Sequence, residues 1–319
     1  MKENLREYAR FGISQHMLYG VCKEQPEHHL KTLGEALQLV TQPGFLPSGR
    51  IEHIDVCVPV DEPYRSQAID ILNEYRPGIK FVYNKHLVPF MNFYPGASHG
   101  IGMDEILDIS TREVDAAHAI GANHTVIAPG HDYPEDRVKA VAGLEEYMTG
   151  ICDYIQKKGW DIRLLLEPFD RKFKQFLLGP SGETARFIKR LKDDGLPVGI
   201  SLDMAHVPLT GETFEQAIET YHWYGLIEHV HIGNCVMRGD PKNPDYGDTH
   251  PALGIPEGEV GVPELERILK ALLGIGYLSR ENPGSITVES RPFPSMNEGE
   301  TVKNNFGLLF KAWENLELQ

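Results

Sequence analysis

Eight short apolar runs, most of them rich in Val, Ile or Leu, are spread along the whole chain. They are FGISQHML (11–18), IEHIDVCVPV (51–60), KFVYNKHLVP (80–89), HTVIAPG (124–130), DIRLLLEPF (161–169), VGISLDMAH (198–206), IEHVHIGN (227–234) and SITVESRPF (285–293). Several are apolar at odd and even positions alike, as strands covered on both faces must be. Between them apolar residues recur three and four apart, the spacing of one helix face. EILDISTREVDAAHAIGA (105–122) and LEEYMTGICDYIQKKG (144–159) show this, as do three segments with boundary signals. SGETARFIKRLKDDG (181–195) opens on a serine cap and closes on glycine, and VPELERILKALLGIG (262–276) has proline in its first turn. GETVKNNFGLLFKAWENL (299–316) comes last. Eight strands alternating with helices predict an α/β protein, a (β/α)8 TIM barrel; a doubly wound open sheet is the competing arrangement.

No Pro/Ser-rich linker, low-complexity tract or step in composition breaks the alternation, so residues 1–319 read as a single domain. The one departure is 235–261, some 27 residues of Gly, Pro, Asp and Asn between strand seven and its helix. Loops this long inside compact domains are functional or disordered. Because it follows the C-terminal end of a strand, this one is expected over the mouth of the barrel. NFYPGASHGIGM (92–103) is expected on the same face after strand three.

The charge balance narrows the partners. Thirty-one Lys and Arg against 46 Asp and Glu give a net charge of −15, which repels phosphate backbones and anionic lipid, so neither nucleic acid nor membrane is expected. No apolar run approaches the ~20 residues that span a bilayer. The start MKENLREYARFG is polar and charged, so it is not expected to be a signal peptide. Cys22, Cys57, Cys152 and Cys235 form no CxxC pair, so a reduced, cytoplasmic setting is expected.

Four of the runs end in chemistry. LLLEPFD reaches Glu167, VGISLDMAHVP reaches Asp203 with His206 three residues on, IEHVHIGN reaches His231, and SITVESRP reaches Glu289. The C-terminal ends of strands are where α/β barrels keep their active sites. A lone strand-end carboxylate reads equally well as an ion-pair partner. Two Glu, one Asp and one His on strands five to eight are instead a donor set for one divalent cation. Oxygen-rich ligation with one imidazole suits Mn²⁺, Mg²⁺ or Co²⁺. His131, directly after strand four, and His250, in the long loop, are candidate bases, because an imidazole pKa of ~6.5 suits neutral pH; bystander histidines are the competing reading. His16 and His86 are expected to be core or pocket residues on strands one and three, and His229 to face the helices. His28, His29 and His222 are expected at the surface. Phe90, Phe93 and Tyr94 are candidates for an apolar wall or the core. With no phosphate cradle evident at a helix start, an unphosphorylated substrate is favoured.

LLLEPF, SLDMAH, HVHIGN and ITVES resemble, in order and spacing, the sugar phosphate isomerases/epimerases of the xylose isomerase-like barrel superfamily. The resemblance covers nearly the whole chain. It implies that Glu167, Asp203, His231 and Glu289 hold one divalent metal, usually Mn²⁺. It further implies that Glu167 and Glu289 flank the substrate and move its proton, and that His206 contacts a substrate oxygen. Arg238 is the nearest match to a substrate-binding arginine, with a solvated loop charge as the competing role. The reaction expected is removal of a proton beside a carbonyl through an enediolate.

A second run, YGDTHPALGIPEGEVGVPELERILKALLGIGYL, resembles the catalytic α subunits of bacterial C-glycoside deglycosidases. It implies a lyase that splits the C–C glycosidic bond of 3-oxo-glucosides by elimination, working with a small β-sandwich subunit; otherwise a homo-oligomer is expected. That lyase is the leading expectation, with His250 placed at the substrate. A sugar isomerase or epimerase acting on a ketose or hydroxy-keto acid is the alternative. A metal-dependent endonuclease of the same superfamily is a remote one, disfavoured by the charge and by a single donor set. A non-catalytic scaffold barrel is disfavoured because the donor set is complete.

Overall fold

A computed structural model describes residues 4–20, 25–46, 50–84 and 102–316. The eight apolar runs form eight parallel strands: β1 (Ala9–Ser14), β2 (His53–Val56), β3 (Lys80–Asn84), β4 (His124–Ile127), β5 (Arg163–Leu166), β6 (Val198–Asp203), β7 (Ile227–Ile232) and β8 (Gly284–Val288). They close in sequence order. β8 pairs with β1 over five residues, from Ala9↔Gly284 to Ile13↔Val288, which excludes the open sheet.

Ten helices accompany the strands among the described residues: α1 (Gln15–Tyr19), α2 (Pro26–Thr41), α3 (Tyr64–Tyr75), α4 (Met103–Ala119), α5 (Arg137–Lys158), α6 (Ser181–Asp193), α7 (His206–Leu209), α8 (Phe214–Trp223), α9 (Val262–Gly274) and α10 (Glu298–Asn315). None is long and apolar enough to cross a membrane.

Several strands are shorter than their apolar runs: β5 ends at Leu166 and β8 at Val288, and the runs continue into the loops that carry Glu167 and Glu289. The run 11–18 leaves its strand at Ser14 and turns directly into α1. α6 does not start on a serine cap as expected. Pro180 holds the cap position, while the buried Ser181 hydroxyl donates to Glu212. α10 is held by a reciprocal box in which Asn297 accepts from the Glu300 N–H and Glu300 accepts from the Asn297 N–H.

Two cores result from the alternation of side chains along each strand. Outward residues such as Ile54, Leu164, Leu202 and Ile286 join the buried faces of the helices, for example Leu265, Ile268 and Leu272 of α9, in one large apolar layer. The inward residues divide. Val82, Val126 and Leu165, on β3 to β5, form a small apolar cluster. On the opposite wall His53, Asp55, His229, His231 and Thr287 fill the interior with polar atoms, and all are buried. Barrel interiors are usually layered with Val, Ile and Leu, so half of this one is given over to something other than packing.

The long 235–261 loop is an ordered structure over the strand ends. Asn234 staples both of its arms, donating to the Ala252 carbonyl at 3.0 Å and accepting from the Val260 N–H at 2.9 Å. Val236 bridges to both Gly247 and Gly258. His250 sits in this loop with φ +49°, a left-handed conformation that costs a non-glycine residue energy.

Candidate metal centre

The four strand-end residues converge. Glu167 follows β5, Asp203 ends β6, His231 lies one residue from the end of β7, and Glu289 follows β8. None is more than 2% exposed. One donor atom from each lies within 4.8 Å of the other three. His231 Nδ1 is 2.5 Å from Glu289 Oε2 and 3.6 Å from Glu167 Oε1. Yet His231 Nδ1, Glu289 Oε2 and Asp203 Oδ2 are left without a hydrogen-bond partner. Buried acceptors crowded on one point without hydrogen bonds are expensive unless a cation joins them. Three carboxylates and one imidazole are the donors a hard divalent ion takes. The residues present therefore fit a divalent metal.

Electrostatics agree. Burial favours the uncharged form of His231, but Glu289, Asp55 and Glu167 outweigh it and hold the imidazole pKa well above the ordinary value. Burial likewise works against ionised Glu289, and His231 overcomes it, bringing that carboxyl down to about 2. Asp203 moves the other way: burial raises it, with Glu289 and Glu167 adding to the rise against His206 and His250.

A second buried donor group adjoins the first. Asp203, His206 and His250 also place one donor atom each within 4.8 Å of one another, and Asp248, which the sequence did not single out, completes the group. His250 Nε2 is 3.0 Å from Asp248 Oδ1 and 3.6 Å from Asp203 Oδ2; His206 Nε2 is 3.4 Å and 3.5 Å from the same atoms. His206 Nδ1 donates to the Pro168 carbonyl at 2.9 Å, which turns Nε2 toward the carboxylates. Burial lowers both imidazoles, but Asp203 and Asp248 push His206 up to about 10 and His250 to about 9. The expectation of a single donor set is thus corrected. This group could take two protons or a further cation that shares Asp203.

The structure brings His16 to the same mouth, on α1 rather than on a strand. Its Nε2 is 3.5 Å from Glu289 Oε1, and its Nδ1 is 3.0 Å from Ser14 Oγ. His131 is half-buried and stacks on Phe176, which packs on Phe169, which in turn packs on His206. It borders the centre through two aromatic rings. Arg238 is not brought in: its guanidinium is exposed and 3.0 Å from Glu259 Oε2.

His229 does not face the helices. It lies two residues before His231, and that is the strand period, so both rings enter the interior, His229 Nε2 at 3.1 Å and His231 Nε2 at 2.9 Å from Asp55 Oδ2. His29 is not at the surface either; it is buried, and its Nε2 donates to the Cys57 carbonyl at 2.9 Å. His222 is exposed and His28 half-exposed. His86, Phe90, Phe93, Tyr94 and most of the 92–103 loop lie outside the described residues.

Solved structures share this architecture. One titled a D-tagatose 3-epimerase-like protein is 16% identical, with a TM-score of 0.60 over 95% of this chain and 98% of that one. An L-ribulose 3-epimerase is 16% identical, with a TM-score of 0.63 over 96% and 95%. An AP endonuclease of family 2 from Brucella melitensis is 16% identical, with a TM-score of 0.64 over 92% and 96%. At these identities the likeness is one of fold. Residues 64–309 match the family model for the xylose isomerase-like TIM barrel, running from α3 into α10, and this chain belongs to that family.

Proposed function

We propose that this chain is a divalent-metal-dependent sugar isomerase or epimerase that removes and returns a proton beside a carbonyl. The observation that carries the reading is the convergence of the buried Glu167, Asp203, His231 and Glu289, where Asp203 Oδ2, His231 Nδ1 and Glu289 Oε2 are satisfied by no hydrogen bond. An L-ribulose 3-epimerase and a D-tagatose 3-epimerase-like protein among the structural neighbours support sugar chemistry on this fold. Mn²⁺ is the proposed ion. When bound, it supplies positive charge that steadies the oxyanion of an enediolate.

The chain's own residues supply the rest. Glu167 and Glu289 enter from β5 and β8, on opposite sides of β6 and β7, and so can take a proton from one face of a carbon and return it at the other. Glu289 is steadied by Ser14, whose hydroxyl donates to Oε1 at 3.3 Å. His206 and His250 present N–H groups beside the centre, suited to hydroxyl oxygens of a polyol. Asp248 keeps both imidazoles oriented. The stapled 235–261 loop brings the buried Asp248 and His250 against the centre.

The elimination suggested by the segment 246–278 shares the first step and differs only in the fate of the enediolate; the neighbours favour the isomerase. The test is incubation of Mn²⁺-loaded protein in D₂O with free ketoses and, separately, with a 3-oxo C-glucoside, with and without a small β-sandwich partner, followed by NMR and mass spectrometry. Deuterium entering a ketose as its epimer or isomer forms is the expected result. Release of free aglycone with no exchange into ketoses would establish the lyase instead. No exchange into any substrate by metal-loaded protein would refute enediolate chemistry.

A further inference from the structure

The polar wall inside the barrel has a direction. His53 Nε2 donates to Thr287 Oγ1 at 2.9 Å, and Thr287 Oγ1 donates onward to Asp55 Oδ1 at 2.7 Å. Ser285 Oγ lies 2.8 Å from His229 Nδ1, and His229 Nε2 lies 3.1 Å from Asp55 Oδ2. The other arrival at Asp55 Oδ2 is His231 Nε2, at 2.9 Å. Three side chains, from β7 and β8, thus converge on one carboxylate of β2, across the intervening β1. His53, Asp55 and His229 place donor atoms close enough together for a metal of their own. Each is satisfied by hydrogen bonds, however, whereas the atoms of the centre above are not.

An imidazole that binds a metal through one nitrogen must carry its proton on the other, and a neutral histidine is free to choose either. In His231 the choice decides whether the centre can form. A proton on Nδ1 would point into Glu289 Oε2, 2.5 Å away, and occupy the place of the cation. A proton on Nε2 points at Asp55 and leaves the Nδ1 lone pair facing Glu167 and Glu289. We propose that Asp55 is the positioning residue of the metal centre, fixing His231 with its proton on Nε2 and its lone pair on Nδ1. Thr287 and His229 serve this role by orienting the carboxylate, since Thr287 occupies Oδ1 and His229 shares Oδ2. An asparagine at 55 offers one acceptor and one N–H₂ in place of two acceptors, so it cannot meet Thr287, His229 and His231 with acceptor atoms at once.

The inference rests on the metal reading above, and the test separates the two. Mn²⁺ would be titrated into full-length wild type, Asp55→Asn and Ser285→Ala, with free ion followed by electron paramagnetic resonance. Asp55→Asn should bind about 10- to 100-fold more weakly, the usual cost of removing the carboxylate behind a ligating histidine. Ser285→Ala, which leaves the Asp55–His231 contact in place, should bind as wild type does. The wild type, labelled with ¹⁵N-histidine and loaded with ¹¹³Cd²⁺, should show one imidazole whose Nδ1 couples to cadmium and whose Nε2 bears a proton. Undiminished binding by folded Asp55→Asn, or a cadmium-loaded spectrum with no Nδ1-coupled imidazole, overturns the role of Asp55 and leaves the metal centre standing. Should Asp55→Asn fail to fold, the wild-type spectrum decides alone. Failure of the wild type to bind any divalent ion overturns both.

Discussion

Replacing Asp203 with asparagine should abolish the stabilisation that Mn²⁺ confers. One oxygen of Asp203, Oδ1, accepts from the Ala205 N–H at 2.8 Å; the other, Oδ2, faces both donor groups. An asparagine that keeps the Ala205 bond with its carbonyl must put an N–H₂ where Oδ2 was, 3.5 Å and 3.6 Å from His206 and His250 Nε2. A cation would then meet a donor instead of an acceptor. A ligand that binds only the folded state stabilises it by about 4 kcal/mol at a thousand times its Kd. For 319 residues, at ~2.1 cal/mol/K each, the unfolding entropy is about 0.7 kcal/mol/K, so the rise in Tm is about 6 °C. Scanning calorimetry with excess Mn²⁺ and with EDTA measures it directly. Wild type should show that rise and Asp203→Asn almost none. A folded Asp203→Asn protein with the full rise would refute the assignment of Asp203 as the shared ligand.

Further outcomes follow from other parts of the site. The fold raises the pKa of His206 from 6.5 to about 10 and of His250 from 6.5 to about 9, so the stability they contribute is full below pH 6.5 and lost as pH climbs through 9 to 10. Thermal unfolding in EDTA should therefore show Tm falling across that window, and a flat or rising profile would remove these pairs from the account. With Mn²⁺ the trend near neutrality should reverse, because ligands must shed protons to bind. A methyl group on Gly12 would lie 2.2 Å from the His53 ring, so Gly12→Ala should cost about 1–3 kcal/mol by overpacking; unchanged urea unfolding would show that the ring can move aside at no cost. His250→Ala should lower kcat/KM about 10- to 100-fold if its N–H meets substrate, the value of a hydrogen bond from a charged donor. Arg238→Ala, exposed and turned to Glu259, should leave kcat/KM unchanged, and equal losses in the two variants would contradict the geometry.

The sequence carried the barrel because its strands are buried on both faces and their apolar runs need no partner to be seen. It carried Glu167, Asp203, His231 and Glu289 because a charge closing such a run is costly unless it has work to do. Asp55 had the same signal, an acid between Ile54 and Val56 in an apolar run, but it lies inside the run, and its role is defined by β7 and β8, more than 170 residues away. Asp248 sits in a loop with no periodicity to place it, and so does Arg238, whose exposed side chain meets Glu259. The inward face of His229 and the burial of His29 were both legible in the sequence. Two residues apart on a strand share a face, and His29 falls on the helix face of Thr32, Leu33, Ala36 and Leu37, which α2 buries.

The polar wall also sets an order of assembly. His53 and Asp55 emerge early in synthesis, yet their partners, His229, His231, Ser285 and Thr287, arrive only with the last quarter of the barrel strands. Until then a collapsed N-terminal half would have to bury an acid and an imidazole without their hydrogen-bond partners, a state that burial energetics oppose. The apolar trio on β3, β4 and β5 has no such debt, since Val82, Val126 and Leu165 come from consecutive strands. Folding is therefore expected to begin at the β3–β5 arc and to finish at the seam where β8 meets β1, with protection of the β1 and β2 amides last in pulsed hydrogen exchange. Early protection of β2 would contradict it. A chain cut short before β7 would thus lack His231 and Glu289 of the candidate centre and also the partners that let β2 enter the barrel.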